Sequence, residues 1–199
     1  LAAWKRGTFP VSTAWKRGES KMTNGPVQAE APSIELIMSL QQVLYREARL
    51  MDAERYSEWV EMLADDLHYF MPGIETRYRR DKTDQVGDTT RMAYYNDTLD
   101  DLKKRLRRLE TGTAWSEDPA TRYTHLITNI EVELTDQDDQ FRVYSNFLAY
   151  RNRNERDQDT LIGNREDIWR RKGSSYELLK RTIILKQNVL LSKNLNVYL

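Results

Sequence analysis

The stretch from Thr111 to Arg153 constrains this chain most. It holds two strand-like runs, Tyr123–Leu134 and Phe141–Arg153, on either side of an acidic turn, Asp136-Gln137-Asp138-Asp139. In the first run Leu126, Thr128, Ile130, Val132 and Leu134 share one face, and His125, Ile127, Asn129, Glu131 and Glu133 share the other. Period-two alternation of this kind predicts half-buried strands. The turn has no Asn-Gly pair, so a loop of a few residues is expected rather than a two-residue hairpin turn. Two further extended runs follow, Thr160–Arg171 and Tyr176–Gln187, joined by the turn Lys172-Gly173-Ser174-Ser175. In the first of these, Ile162 and Ile168 fall on one side and Leu161 and Trp169 on the other.

The region before the hairpin reads as helical or irregular. Ser33 is a good N-cap, and Ile37, Leu40, Leu44, Ala48 and Met51 then recur at three- and four-residue steps, the stripe of an amphipathic helix. A short second helix carries Tyr56, Trp59, Val60 and Leu63 on its buried side. Leu67–Met71 is expected as a short strand stopped by Pro72-Gly73, with Ile74–Arg80 as a candidate second strand and residues 81–90 as a loop. A third helix is expected from Asn96 or Asp97, with Leu99, Leu102, Leu106 and Leu109 as its apolar stripe. Its acidic front and basic back complement the helix dipole, and Asp100–Lys104 and Asp101–Arg105 have favourable i,i+4 spacing. The basic cluster is therefore read as a solvated helix end. Helices first and long strands later predict an α+β class, with helices on one face of an antiparallel sheet.

Residues 1–32 are polar and broken by glycine and proline, and Ala3-Trp4-Lys5-Arg6-Gly7 recurs as Ala14-Trp15-Lys16-Arg17-Gly18. They read as an arm or a remnant of expression or processing, ahead of a single domain over 33–199. Among the 199 residues, 31% are charged and 39% hydrophobic, with zero formal net charge. A neutral chain is a poor nucleic-acid binder, which needs a net basic face. With no cysteine, the chain can offer neither a disulfide, nor a thiolate zinc site, nor ligands for an iron–sulfur cluster, nor a cysteine nucleophile. No apolar run has the length of a membrane span or signal core, so the cytoplasm is the expected compartment.

Motifs for chemistry are sparse. The two histidines, His68 and His125, are far apart and lack helical metal-ligand spacing, so no metal site is expected. There is no Gly-x-Ser-x-Gly and no glycine-rich phosphate loop. Paired carboxylates such as Asp65-Asp66, Asp100-Asp101 and Glu117-Asp118 are too common at this charge density to mark a site, and Glu117-Asp118-Pro119 reads as a turn.

A resemblance adds to these readings. Gly112-Thr113-Ala114-Trp115-Ser116-Glu117-Asp118-Pro119, then Arg122 and His125-Leu126-Ile127-Thr128-Asn129, resembles the signature of small (beta) subunits of aromatic-ring-hydroxylating Rieske non-haem iron dioxygenases. Tyr45-Arg46-Glu47-Ala48, Leu50-Met51-Asp52, Tyr150-Arg151-Asn152-Arg153, Gly163-Asn164-Arg165-Glu166-Asp167, Lys180-Arg181-Thr182-Ile183 and Asn194-Leu195 extend the likeness over about Ile34 to Leu199. Within the family it is most similar to the biphenyl, benzene and cumene branch. The resemblance implies a cone of three N-terminal helices packed on a curved, mainly antiparallel sheet, like nuclear transport factor 2 or cystatin. It implies three small and three large subunits in a hexamer, with the small subunits as a trimer. The Rieske [2Fe-2S] cluster and mononuclear Fe(II) are then expected on the large subunit, and electrons come from NADH through a reductase and a ferredoxin. No catalytic, cofactor or metal residue is expected on this chain.

The implied function is that of a non-catalytic structural subunit of an oxygenase, of the biphenyl 2,3-dioxygenase type, that converts an aromatic hydrocarbon to a cis-dihydrodiol. The alternative is a stand-alone cone-fold isomerase or dehydratase with Asp66 or His125 as a pocket base. The candidate structural or interface residues are Trp115, Glu117, Asp118, Arg122, His125, Arg151, Arg153, Leu195, Tyr198 and Leu199. Leu195, Val197, Tyr198 and Leu199 form an apolar tail that is expected to dock, since exposed ends are usually polar.

Overall fold

The computed structural model describes residues 31–78, 80–81, 85–110, 121–153, 155, 157–190 and 198–199. Residues 1–30 of the arm, Trp115, Glu117, Asp118 and Leu195 lie outside the described residues. Helix α1 (Ile34–Asp52) starts where Ser33 Oγ accepts the Leu36 N–H at 3.2 Å, the expected N-cap. Its buried side carries Leu40, Leu44, Ala48 and Met51, joined by Glu47 and Leu50. The one-turn helix α2 (Tyr56–Val60) buries Trp59. Strand β1 (Leu63–Pro72) is twice the expected length and takes in Leu63.

Between β1 and the third helix lies a strand absent from the sequence reading, β2 (Ala93–Asp97), antiparallel to β1. Among the described residues of 74–80 there is no strand, only an isolated bridge between Ile74 and Val86. Helix α3 (Leu99–Glu110) therefore starts after Asp97, capped by Thr98, whose Oγ1 accepts the Asp101 N–H at 3.4 Å. Its polar pairs differ from the expected ones. Lys104 bonds Asp101, and Arg105 turns back to Asp97 with Nε 2.6 Å from Oδ2.

Strands β3 (Arg122–Leu134), β4 (Gln140–Arg153), β5 (Asp157–Lys172) and β6 (Ser175–Leu185) form the long antiparallel part of a six-stranded sheet, ordered β2-β1-β6-β5-β4-β3. The β1–β6 pair is parallel, so the sheet is mixed. Helix α1 packs on β3 and α3 on β1. Gly173, with φ of +60°, turns β5 into β6 through a conformation that glycine adopts without steric cost.

One strand corrects the sequence reading. The register of β3 shifts between Thr128 and Glu131, and Asn129 sits at φ of 52°. A bulge adds a residue to one strand and reverses which parity points inward. Before it Tyr123, His125 and Ile127 face the core, and Leu126 is 57% exposed; after it Ile130 and Val132 face inward. The two faces predicted from strict alternation are thus each a mixture of inside and outside.

Candidate functional site: the interior of the cone

The inward rows of β5 and β6 place charges where a core normally holds aliphatic groups. Leu161, Gly163, Arg165, Asp167 and Trp169 alternate inward along β5. Across the register Asp167 faces Arg181 of β6. Arg181 is fully buried and makes two bidentate pairs: Nη1 and Nη2 each lie 2.8 Å from the Glu47 carboxylate oxygens, and Nε and Nη2 lie 2.9 and 2.7 Å from those of Asp167. Such fork-to-fork geometry is the strongest form of protein ion pair. Trp59 Nε1 donates to Glu47 Oε1 at 3.1 Å. Arg165 is equally buried: Nε reaches Ser145 Oγ at 3.4 Å, Nη1 stands 3.7 Å from Glu47 Oε2, and among the described residues neither Nη atom has a hydrogen-bond partner.

The electrostatics follow from burial opposed by neighbours. Burial alone would raise the Glu47 pKa, but Arg181 and Arg165 outweigh it and hold it below the ordinary 4.5. Burial would lower Arg181, but Asp167 and Glu47 hold it well above its usual value. Arg165 is shifted down by burial and by the repulsion of Arg181. Burial pushes the Tyr69 hydroxyl up to about 12, so it stays a neutral donor.

Next to this cluster, His125 is held by Asp52 at the end of α1. Asp52 accepts the His125 backbone N–H at 3.1 Å, and its Oδ1 lies 2.6 Å from Nδ1. The other ring nitrogen, Nε2, is 2.9 Å from the Tyr198 carbonyl oxygen. Tyr198 and Leu199 are 4% and 1% exposed, so the end of the tail is docked inside. The Tyr198 ring lies 4.9 Å from Trp59, 5.9 Å from Tyr56 and 6.4 Å from Tyr95 between ring centres. Tyr69 Oη accepts the Leu199 N–H at 2.8 Å and donates to its carbonyl oxygen at 2.7 Å.

The structure thus brings His125, Tyr198 and Leu199 together. Arg151 is buried and pairs with Asp159 at 3.2 Å, whereas Arg122 is exposed and Arg153 half-buried at the same end of the hairpin. Glu47, Asp52, Tyr69, Arg165, Asp167 and Arg181 were not singled out as site residues. For three of them the signal was a charge at a position that the apolar period assigns to the core: Glu47 three residues after Leu44, and Arg165 and Asp167 in step with Leu161 and Trp169.

This geometry disfavours a pocket base. Asp66 is on the surface, bound to Arg170 at 2.9 and 3.1 Å, and the free side of the His125 ring is taken by a main-chain carbonyl. Iron fits poorly too. His68 bonds Asn96 Oδ1 at 2.8 Å, His125 is committed as above, and among the described residues no three His, Cys, Asp or Glu side chains group as a metal site. Nor, among the described residues, is any helix long and apolar enough to cross a membrane.

Helices on one side of a mixed six-stranded sheet, with the interior filled by side chains, define a nuclear transport factor 2-like α+β cone. Residues 46–192 match the ring hydroxylating beta subunit family, and the chain belongs to it as a beta subunit of a ring-hydroxylating dioxygenase, an oxidoreductase complex. It is 38% identical over 161 residues to biphenyl 2,3-dioxygenase subunit beta of Rhodococcus jostii, covering 80% of this chain and 86% of that one. It is 41% identical over 172 residues to 3-phenylpropionate/cinnamic acid dioxygenase subunit beta of Photorhabdus laumondii, covering 85% and 95%. Among solved structures it is similar to a chain of naphthalene 1,2-dioxygenase with indole bound in the active site. That match has a TM-score of 0.76 and 26% identity, covering 85% of this chain and 88% of that one.

Proposed function

We propose that this chain is the architectural half of a terminal oxygenase that dihydroxylates an aromatic hydrocarbon of the biphenyl type to a cis-dihydrodiol. The observation that carries the reading is the filled cone: Tyr198, Leu199 and four buried charges occupy its interior. The large subunit then holds the Rieske cluster and mononuclear iron, with electrons from NADH through a reductase and ferredoxin in the cytoplasm. Three copies of each subunit form the hexamer.

The outer face of the sheet supports an assembled state. Leu126, Leu148 and Ile162 stand in register across β3, β4 and β5, with Leu126 57% and Ile162 44% exposed and Tyr150 beside them. An apolar rung spanning three strands is the kind of surface that a partner covers. Co-expression with the large subunit, followed by size and iron analysis and turnover of biphenyl, tests the proposal. A coloured hetero-oligomer that forms a cis-dihydrodiol is expected; an active, colourless homo-oligomer would refute it.

A further inference from the structure

We propose that the cone interior is a peptide-binding pocket whose resident ligand is the chain's own Tyr198–Leu199, and which takes an aromatic–aliphatic dipeptide in trans when that segment is removed. The contacts are those of a ligand in a site. The Tyr198 ring sits among three aromatic side chains, Trp59, Tyr56 and Tyr95, at 4.9 to 6.4 Å. Its carbonyl oxygen faces His125 Nε2 at 2.9 Å. The Leu199 main chain meets one hydroxyl twice, since Tyr69 Oη accepts its N–H and donates to its carbonyl. Arg181 Nη1 adds a contact to that carbonyl at 3.3 Å.

The receptor groups hold their places through bonds to other parts of the chain. His125 is positioned by Asp52, and Arg181 by Glu47 and Asp167. A site whose side chains are fixed by their own partners is preorganised, which lowers the cost of binding. The recognised class is therefore a ring, a carbonyl, then an amide N–H and carbonyl with an aliphatic side chain. Without the segment, His125 Nε2, Tyr69 Oη and three ring faces lose those contacts.

The test uses the otherwise full-length chain lacking Tyr198 and Leu199, titrated with N-acetyl-Tyr-Leu-amide and followed by thermal melting. The deletion should lower Tm, and the peptide should restore it saturably, by about 5 °C or more at a hundredfold excess over Kd. N-acetyl-Ala-Ala-amide should do nothing, and the intact chain should not respond to either. Peptide that stabilises both chains alike, or neither, overturns the proposal. If the deleted chain does not fold, the full-length Tyr198→Ala variant decides. p-Cresol should raise its Tm and leave that of the unaltered chain unchanged, and no rise in the variant overturns the proposal.

Discussion

Arg181 of β6 and Glu47 of α1, 134 residues apart in the chain, meet as a bidentate pair at 2.8 Å with neither side chain exposed to solvent. Asp167 pairs with Nε and Nη2 of the same guanidinium. This one side chain fastens the first helix to the centre of the sheet. Removing one member of a buried pair strands the others without counter-charge, which costs about 3–5 kcal/mol. Arg181→Met should lower unfolding free energy by about that amount in urea titration. A loss comparable to that of an exposed pair such as Arg55–Glu58 would count against the fastening role.

Acid should release the same fastening. The Glu47 pKa in the folded chain lies below its ordinary 4.5 because Arg181 and Arg165 outweigh burial. A depressed folded value means that the stabilisation is fully present above the unfolded value and is lost as pH falls through the folded one. The difference in stability between the unaltered chain and Glu47→Gln should therefore be greatest near neutrality and shrink below about pH 4.5. Denaturant titrations across that range would show it; a constant difference would remove Glu47 from the account.

Gly163 is needed for packing. A methyl added there would come 2.6 Å from the Ile184 carbonyl oxygen and 2.7 Å from the Phe147 ring. Overpacking of this kind costs about 1–3 kcal/mol, so Gly163→Ala should lower Tm clearly. Differential scanning calorimetry would decide the matter, and an unchanged Tm would show that the sheet yields at that point.

The outer rung should matter to assembly and little to folding. Leu126→Asp and Ile162→Asp change side chains that are already largely exposed. The expected outcome is less hetero-oligomer by size-exclusion chromatography, with unaltered far-ultraviolet circular dichroism. Full assembly of the double variant would free this face from any interface role.

Much of the frame was legible in the sequence because it depends on local period. Ser33 and the stripe from Ile37 to Met51 defined α1, and alternation put Leu161 and Trp169 on one side of β5, the side that the structure turns inward. Strand β2 was hidden because five residues, Ala93–Asp97, are too few to establish alternation beside a polar loop. The inversion of faces along β3 was hidden because it rests on one backbone angle, that of Asn129. Of the candidate residues, His125, Tyr198 and Leu199 converge, but the partners that unite them do so across sequence gaps. Asp52 is 73 residues from His125, and Leu199 is 130 from Tyr69. No local pattern carries such pairings, whereas charges out of step with an apolar period mark that something buried must answer them.

We propose that this chain supplies architecture and no chemistry to the oxygenase. Turnover per iron of the complex carrying His125→Gln tests it most directly, because His125, held between Asp52 and the Tyr198 carbonyl, is the buried one of the two bases that the alternative, enzymatic reading would use. The yield of assembled complex should fall, while the rate of cis-dihydrodiol formation per iron in what assembles stays within about twofold of the unaltered complex. A fully assembled complex whose rate per iron drops by about a hundredfold, the scale of a lost general acid–base group, would contradict the account.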